Sequence, residues 1–267
     1  MEEKDNREEE GGDLKKRGSL RHLRRSLAPS FWPILRKEYA WVVKPSPGPH
    51  PSNRCIPLGI ILRDILRYAR TMREARRILG EGKVKVDGRI VRDYKFPVGL
   101  MDVIELASGE IFRMVPHPQK FMVLHPIGKE ESNFKLLRIE GKTVVKGGHV
   151  ELHFHDGRNY LIRVTDPRNP VEDVYKTYDV VKMSIPEQEI LDHVKLEEGT
   201  LVIVIDGRNV GRVGTLVKVN QIFKRSRAIV MLRSPSDKEF RTILSYVFPL
   251  GVEKPLISLP EECLKYE

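Results

Sequence analysis

Residues 71–103, TMREARRILGEGKVKVDGRIVRDYKFPVGLMDV, restrict the fold more than any other stretch, because helix, stop and hairpin signals follow one another without a gap. Thr71 and Glu74 have the S/T-x-x-E spacing of a capping box, which predicts a helix start. At about 100° per residue, Met72, Ala75, Ile78 and Leu79 share an arc roughly 120° wide, with Arg73, Arg76 and Arg77 opposite. Gly80 and Gly82 end that helix. Residues 84–91, VKVDGRIV, are two short alternating runs around Asp87-Gly88, the strongest local hairpin signal. The preceding residues, from about 58 to 69, predict a first helix of the same design. Ile61, Leu62, Ile65, Leu66 and Ala69 fall on one side, and Arg63, Arg67 and Arg70 on the other. The expected product is an αα-hairpin followed by a β-hairpin that carries Lys83, Lys85 and Arg89.

Arginines on helix faces are often plain solvated charge. A solvated face usually mixes signs for i,i+4 support, however, and these two faces carry almost one sign. The stretch also offers no apolar groove for a partner protein. A phosphate backbone is the expected ligand. The charge balance agrees: the chain of 267 residues has net charge +10 and a pI near 9.5. By segment the charge is −5 over residues 1–13, +8 over 14–50, +6 over 51–104, −1 over 105–195 and +2 over 196–267. The positive potential therefore lies in the first hundred residues, where an acidic polymer would bind.

Residues 1–13 are acidic, without periodicity, and predicted to be a disordered extension. Residues 14–56 form a basic, proline-rich arm. Its first part, KKRGSLRHLRR, offers Lys15, Lys16, Arg17, Arg21, Arg24 and Arg25 to RNA, and Leu20, Leu23 and Leu27 to a surface. Such runs also serve as nuclear-import signals or plain tails. Seven prolines between Ala28 and Pro57 forbid a long helix there. Trp32, Tyr39 and Trp41 lie among them. The expectation is an extended arm pinned by its tryptophans, with residues 14–50 mobile until RNA orders them.

Residues 105–195 read as a central antiparallel β domain. Strand runs at 121–124, 136–139, 150–154 and 160–164 are separated by Glu140-Gly141, Gly147-Gly148 and Asp156-Gly157 turns. In residues 196–260, strands at 201–205 and 215–219 flank Asp206-Gly207, Gly211 and Gly214. Positive φ and close backbone approach are expected at these glycines, as a sharply bent small barrel requires. Arg208, Asn209 and Arg212 project from that loop, and Lys224, Arg225 and Arg227 add charge in the next.

Val84, Val86, Asp87, Gly88 and Val91 resemble the V-x-V-[DN]-G-x-x-V core of the alpha-L RNA-binding module found in ribosomal and RNA-modifying proteins. The G-x-N-x-G-x-x-G-x-[LV]-V pattern from Gly207 resembles the KOW motif of ribosomal and transcription proteins. Longer runs, WVVKPSPGPH from Trp41, PLGIILRDIL from Pro57 and VDGRIVRDYKFPVGLMDVI from Val86, are together similar to the archaeal and eukaryotic small-subunit ribosomal protein family four-e. The resemblance covers roughly residues 14–260. It implies an α+β multi-domain protein: an alpha-L module over 57–104, the central β-rich domain, and a KOW-containing SH3-like barrel over 196–260. The acidic residues 1–13 and the short tail 261–267 stand apart from it. The implied role is structural, in cytoplasmic ribosomes. Small-subunit rRNA and neighbouring ribosomal proteins are the implied partners, with no cofactor.

Enzymes acting on rRNA can carry an alpha-L module too, above all the pseudouridine synthases, which resemble one another in an R-L-D run. That run is absent here, as is a glycine-rich nucleotide loop. An rRNA-processing enzyme and a KOW-bearing transcription factor are the alternatives. Cys55 and Cys263 match no zinc or redox spacing, which fits a reducing compartment. No run approaches 18 apolar residues, so neither a membrane span nor a secretory signal is expected. His149, His153 and His155 lack a carboxylate or cysteine at a metal-site spacing, and a hairpin surface is the expected place for them. Neither a metal nor a small-molecule substrate is expected.

Overall fold

A computed structural model describes residues 21–168, 170–220 and 228–264. Lys15, Lys16, Arg17 and Leu20, and the loop cations Lys224, Arg225 and Arg227, lie outside the described residues.

The arm is docked. Leu23–Arg24 (β1) pairs antiparallel with Trp41–Val42 (β2) and closes the residues between them into a loop. Trp32 is buried inside that loop, and its indole N–H donates to the Cys55 carbonyl at 2.8 Å. Ala28, Phe31, Ile34, Val42 and Val43 pack with it on the core of the following module. The expectation of a mobile arm is therefore corrected from residue 21 onward. Its apolar residues are spaced irregularly between prolines, so no periodicity announces the surface they bury together. Of the two tryptophans, only Trp32 pins the arm; Trp41 is 57% exposed.

Ile56–Pro57 (β3) leads into Leu58–Ile60 (α1), which widens into a π-helical turn over Ile61–Ile65. There the Leu66 N–H bonds the Ile61 carbonyl at 2.9 Å. The helix expected through residue 69 thus stops at Ile65. Leu58, Gly59, Ile60, Ile61 and Leu62 are all buried, so the segment is enclosed on every side. The chain turns back at once, with the N–H groups of Tyr68 and Ala69 both reaching the Leu62 carbonyl. Arg67 takes up the reversal at φ 57°, a left-handed conformation costing a non-glycine residue roughly 1–2 kcal/mol.

The second helix, Met72–Gly80 (α2), is as the sequence predicts. Thr71 Oγ1 accepts the Glu74 N–H at 3.2 Å, Ala75 and Leu79 are buried, and Arg73, Arg76 and Arg77 are exposed.

Val84–Val86 (β4) and Arg89–Ile90 (β5) form the hairpin, and Pro97–Val98 (β6) pairs with β3. Val103–Leu106 (β7), Ile111–His117 (β8) and Phe121–Pro126 (β9) extend the hairpin into an antiparallel sheet of order β5-β4-β7-β8-β9. After a short helix, Lys129–Ser132 (α3), a second sheet has order β12-β11-β10-β13-β14. Its strands are Phe134–Val144 (β10), Val150–Phe154 (β11), Asn159–Ile162 (β12), Val180–Ser184 (β13) and Ile190–Val194 (β14). A third contains Leu201–Val204 (β15), Val213–Asn220 (β16), Ile229–Arg233 (β17), Glu239–Ile243 (β18) and Val247–Gly251 (β19). Its order is β18-β17-β16-β15-β19, so the last strand returns beside the first. All pairings are antiparallel.

The three sheets are tied together by polar groups in their interiors. Arg138 on β10 is buried and donates to the Ser245 and Val247 carbonyls at 2.8 and 2.7 Å, joining the second sheet to the third. Gly211 joins the third to the first. At φ 76°, its backbone lies so close to the β8–β9 turn that an added Cβ would stand 2.4 Å from the Pro118 nitrogen. Gly214 does not share the positive φ expected of it; what it supplies is space, since a Cβ there would meet the Arg233 carbonyl oxygen at 2.8 Å. Gly211→Val is therefore expected to destabilise the full chain by about 2–5 kcal/mol, from left-handed strain plus overpacking. Gly214→Val should lose about 1–3 kcal/mol from overpacking alone. Urea denaturation of the two variants checks the order; equal losses would mean that the contact with Pro118 carries no energy.

Candidate nucleic-acid interface

The cations at the head of the chain divide into those with a carboxylate partner and those without. Arg63 binds Asp64 with both arms of its fork, at 3.0 and 2.8 Å, a bond that raises its pKa. Arg77 and Lys83 share Glu81 at 3.1 and 2.6 Å, and together hold that carboxyl below its usual range. Arg25 is only 3% exposed, donates to Glu38 at 3.0 Å and lies over the Tyr39 ring. It is a buried part of the arm and not an outward cation as the sequence suggested. Arg21, Arg24, Arg67, Arg70, Arg73, Arg76, Lys85 and Arg89 are exposed and, among the described residues, have no ion pair. Arg76 is nevertheless held in place, with its guanidinium 4.1 Å from the centre of the Tyr94 ring.

Arg67 does not share a helix face with Arg63 and Arg70, because the helix ends before it. The tip of the hairpin also differs from expectation. Asp87 is 6% exposed: its Oδ1 accepts the Val103 N–H at 3.0 Å, and its Oδ2 accepts from Lys135 at 2.8 Å and Arg158 at 2.6 Å. Gly88 packs against Ile185 and Pro186. The Asp87-Gly88 turn therefore faces into the protein and locks the first sheet to the second, while Lys85 and Arg89 stay outside. Sequence signals fix the turn type locally; they say nothing of a lysine 48 residues away.

Lys135 is the centre of that lock. It is fully buried, and its ammonium group also holds Asp102 and, at 3.1 Å, Asp156. His50 donates from Nε2 to Asp102 at 3.0 Å, and Arg158 reaches Asp156 at 3.1 Å. Burial alone would raise the Asp102 carboxyl; the charges of His50 and Lys135 outweigh it and keep the pKa well below the ordinary range. Burial likewise opposes charge on Lys135, but Asp102, Asp87 and Asp156 prevail and raise its pKa. Sequence reading missed Lys135 and Arg138. The available signal was two charges inside the apolar run FKLLRI, where β10 is otherwise buried.

Among the glycine-loop residues, Arg208 is exposed. Asn209 donates its amide to the Arg241 carbonyl at 3.2 Å, and Arg212 is half-buried over the Phe240 ring. These two act first within the third sheet. The three histidines are used separately. His149 Nδ1 accepts the Val164 N–H, and His153 bridges Thr143 and Asn159. His155 accepts the Arg138 N–H on Nδ1 at 3.2 Å and approaches the Leu100 carbonyl with Nε2 at 3.3 Å. No metal-ligand group is found among the described residues.

Those two bonds fit only the neutral His155 ring, and burial pushes its pKa down to about 3. Below the unfolded value near 6.5 the unfolded chain takes up a proton that the folded one refuses. Stability should then fall with pH by up to about 1.4 kcal/mol per unit from this group. His125, lowered in the same direction by burial, adds to the slope. Denaturation midpoints between pH 7 and 4 check this, with His155→Asn expected to flatten the dependence. An unchanged slope in that variant would mean that the ring titrates normally.

Known proteins are similar to this chain. The RS4NT (NUC023) domain matches residues 17–53, the S4 domain 60–104 and the Ribosomal family S4e model 108–190. The small ribosomal subunit protein eS4 of Staphylothermus marinus is 58% identical over 245 residues, covering 91% of this chain and 97% of that protein. The eS4 protein of Aeropyrum pernix is 55% identical over 249 residues, covering 93% and 98%. A crystal structure of the 30S ribosomal protein S4e from Thermoplasma acidophilum superimposes with a TM-score of 0.62 at 33% identity, over 75% of this chain and 96% of that one. An S4 domain and a mostly antiparallel β structure fit these matches, and the chain belongs to the ribosomal protein S4e family.

Proposed function

We propose that this chain is a structural constituent of the small ribosomal subunit, held to its rRNA by the basic arm, the alpha-L module and Arg208 of the third sheet. The observation that carries this reading is the set of exposed cations that, among the described residues, have no carboxylate partner, from Arg21 in the arm to Arg73 and Arg76 on α2. Phosphates neutralise such a set and release its counterions. The names of the relatives agree, and the family is one of structural proteins, not enzymes. Its place is the ribosome, in the cytoplasm.

Residues 14–56, 57–104, 105–195 and 196–260 serve in this reading as arm, module, spacer and barrel. The third sheet supports a KOW-containing, SH3-like barrel by its four-stranded meander, its returning fifth strand and the glycine loop between β15 and β16. The central domain is near neutral and suits contacts with neighbouring ribosomal proteins.

Sedimentation of the tagged chain on a sucrose gradient tests the proposal. A subunit protein runs with small subunits at near one copy per particle. Substoichiometric association would favour a processing factor, and co-purification with RNA polymerase a transcription factor.

A further inference from the structure

A cleft of about 670 Å³ lies between the arm and the alpha-L module, bordered by Arg21, His22, Trp41, Arg76, Tyr94 and Lys95. Its size falls in the range of about 300–1,000 Å³ that takes small organic ligands. Among the described residues, no carboxylate lines it. Glu38 and Asp64 are each engaged by an arginine that lines the cleft, Arg25 and Arg63.

Tyr94 packs on the core of the module, but Trp41 is not explained by packing. Trp32 anchors the arm, whereas Trp41 on β2 leaves more than half of its surface in water, with the His22 ring 5.7 Å away at a 58° tilt. The ring of Tyr94 has Arg76 at 4.1 Å and Lys95 at 5.6 Å, which holds two cations in the same cleft. A large exposed π-surface in one cleft with fixed cations suits a planar, electron-rich ring attached to anions. A paired helix cannot present that, because its bases are stacked inside; an unpaired base can be splayed onto an aromatic side chain.

We propose that this cleft takes one unpaired, extruded nucleobase of the bound RNA, stacked on Trp41, with the flanking phosphates on Arg21, Arg76 and Lys95. The inference rests on the rRNA-binding reading above and specifies which RNA element the arm and module recognise together.

Fluorescence reads it directly, since the chain has two tryptophans and one of them is buried. The full chain is titrated with three RNA hairpins: one fully paired, one with a single bulged adenosine, and one with an abasic residue at the bulge. The bulged RNA should quench Trp41 emission and bind roughly 5- to 150-fold tighter than the abasic one, the range of a single base–aromatic stack. Trp41→Ala should abolish that preference and Trp41→Tyr restore it, with circular dichroism confirming the fold. If all three RNAs bind without quenching and with equal affinity, the cleft holds phosphates only and the proposal is overturned. If none binds at low salt, the rRNA-binding reading itself fails and takes this one with it.

Discussion

Lys135→Met is expected to destabilise the protein by about 3–5 kcal/mol, the usual effect of removing one partner from a buried ion cluster. The side chain it replaces is fully buried and neutralises Asp87, Asp102 and Asp156. Methionine fills the volume but leaves three carboxylates with only Arg158 and His50 as charged partners. The acid dependence should change sign. In the parent chain the folded pKa values of Asp102 and Asp156 lie below the ordinary range. Their contribution is therefore complete above the unfolded value near 3.9 and is lost as pH falls through the lowered folded values. Lys135, raised in the fold, contributes fully below its unfolded value near 10.4 and loses that contribution only as pH rises through the higher folded value. Without the lysine, burial pushes the carboxyl groups up instead. The variant should then gain stability on mild acidification from neutral pH, relative to the parent, as those groups accept protons. Urea denaturation at several pH values measures both effects. A loss under about 1 kcal/mol at neutral pH, with parallel pH profiles, would show that the sheets are held by their apolar contacts alone.

What could be read from the sequence is what is decided within a few residues. The α2 helix has its cap, its buried arc and its glycine stop inside one short stretch, and each is found where the pattern puts it. The Asp87-Gly88 turn is likewise local, with both residues at positive φ. The role of that turn is not local, since it depends on Lys135 and Arg158 from the second sheet. The first helix fails at Arg67 for the same reason: enclosure of residues 58–62 on all sides is a tertiary fact. Asn209 has the side chain of a loop ligand, yet the neighbouring strand claims its amide. The arm shows the reverse error, in which an entropy argument from charge and proline content outweighed scattered apolar residues that share one surface. Arg25 followed the arm inward. Long-range partners thus decide which cations remain for a ligand, and those partners leave no period in the sequence.

The cations that remain yield the second large effect, on RNA binding. Replacing Arg70, Arg73 and Arg76 together by alanine should weaken binding to an rRNA fragment by roughly 10²-fold at 0.1 M salt, with the difference closing toward 1 M. Each phosphate released flattens the slope of log K against log[salt] by about 0.7–0.9, so three lost contacts should flatten it by about 2–3. The fold should tolerate the change, because all three side chains are exposed without ion pairs among the described residues and alanine favours α2 at positions 73 and 76. Arg63 and Arg77 supply the comparison, since Asp64 and Glu81 already neutralise them in part. A double Arg63→Ala, Arg77→Ala variant should flatten the slope by well under 1 per arginine, because a phosphate gains less from a cation that a carboxylate already holds. Binding isotherms of the parent and both variants over one salt series decide the matter. Equal slopes for the triple variant and the parent would mean that the α2 face only solvates the helix, and that the arm and the third sheet hold the RNA without it.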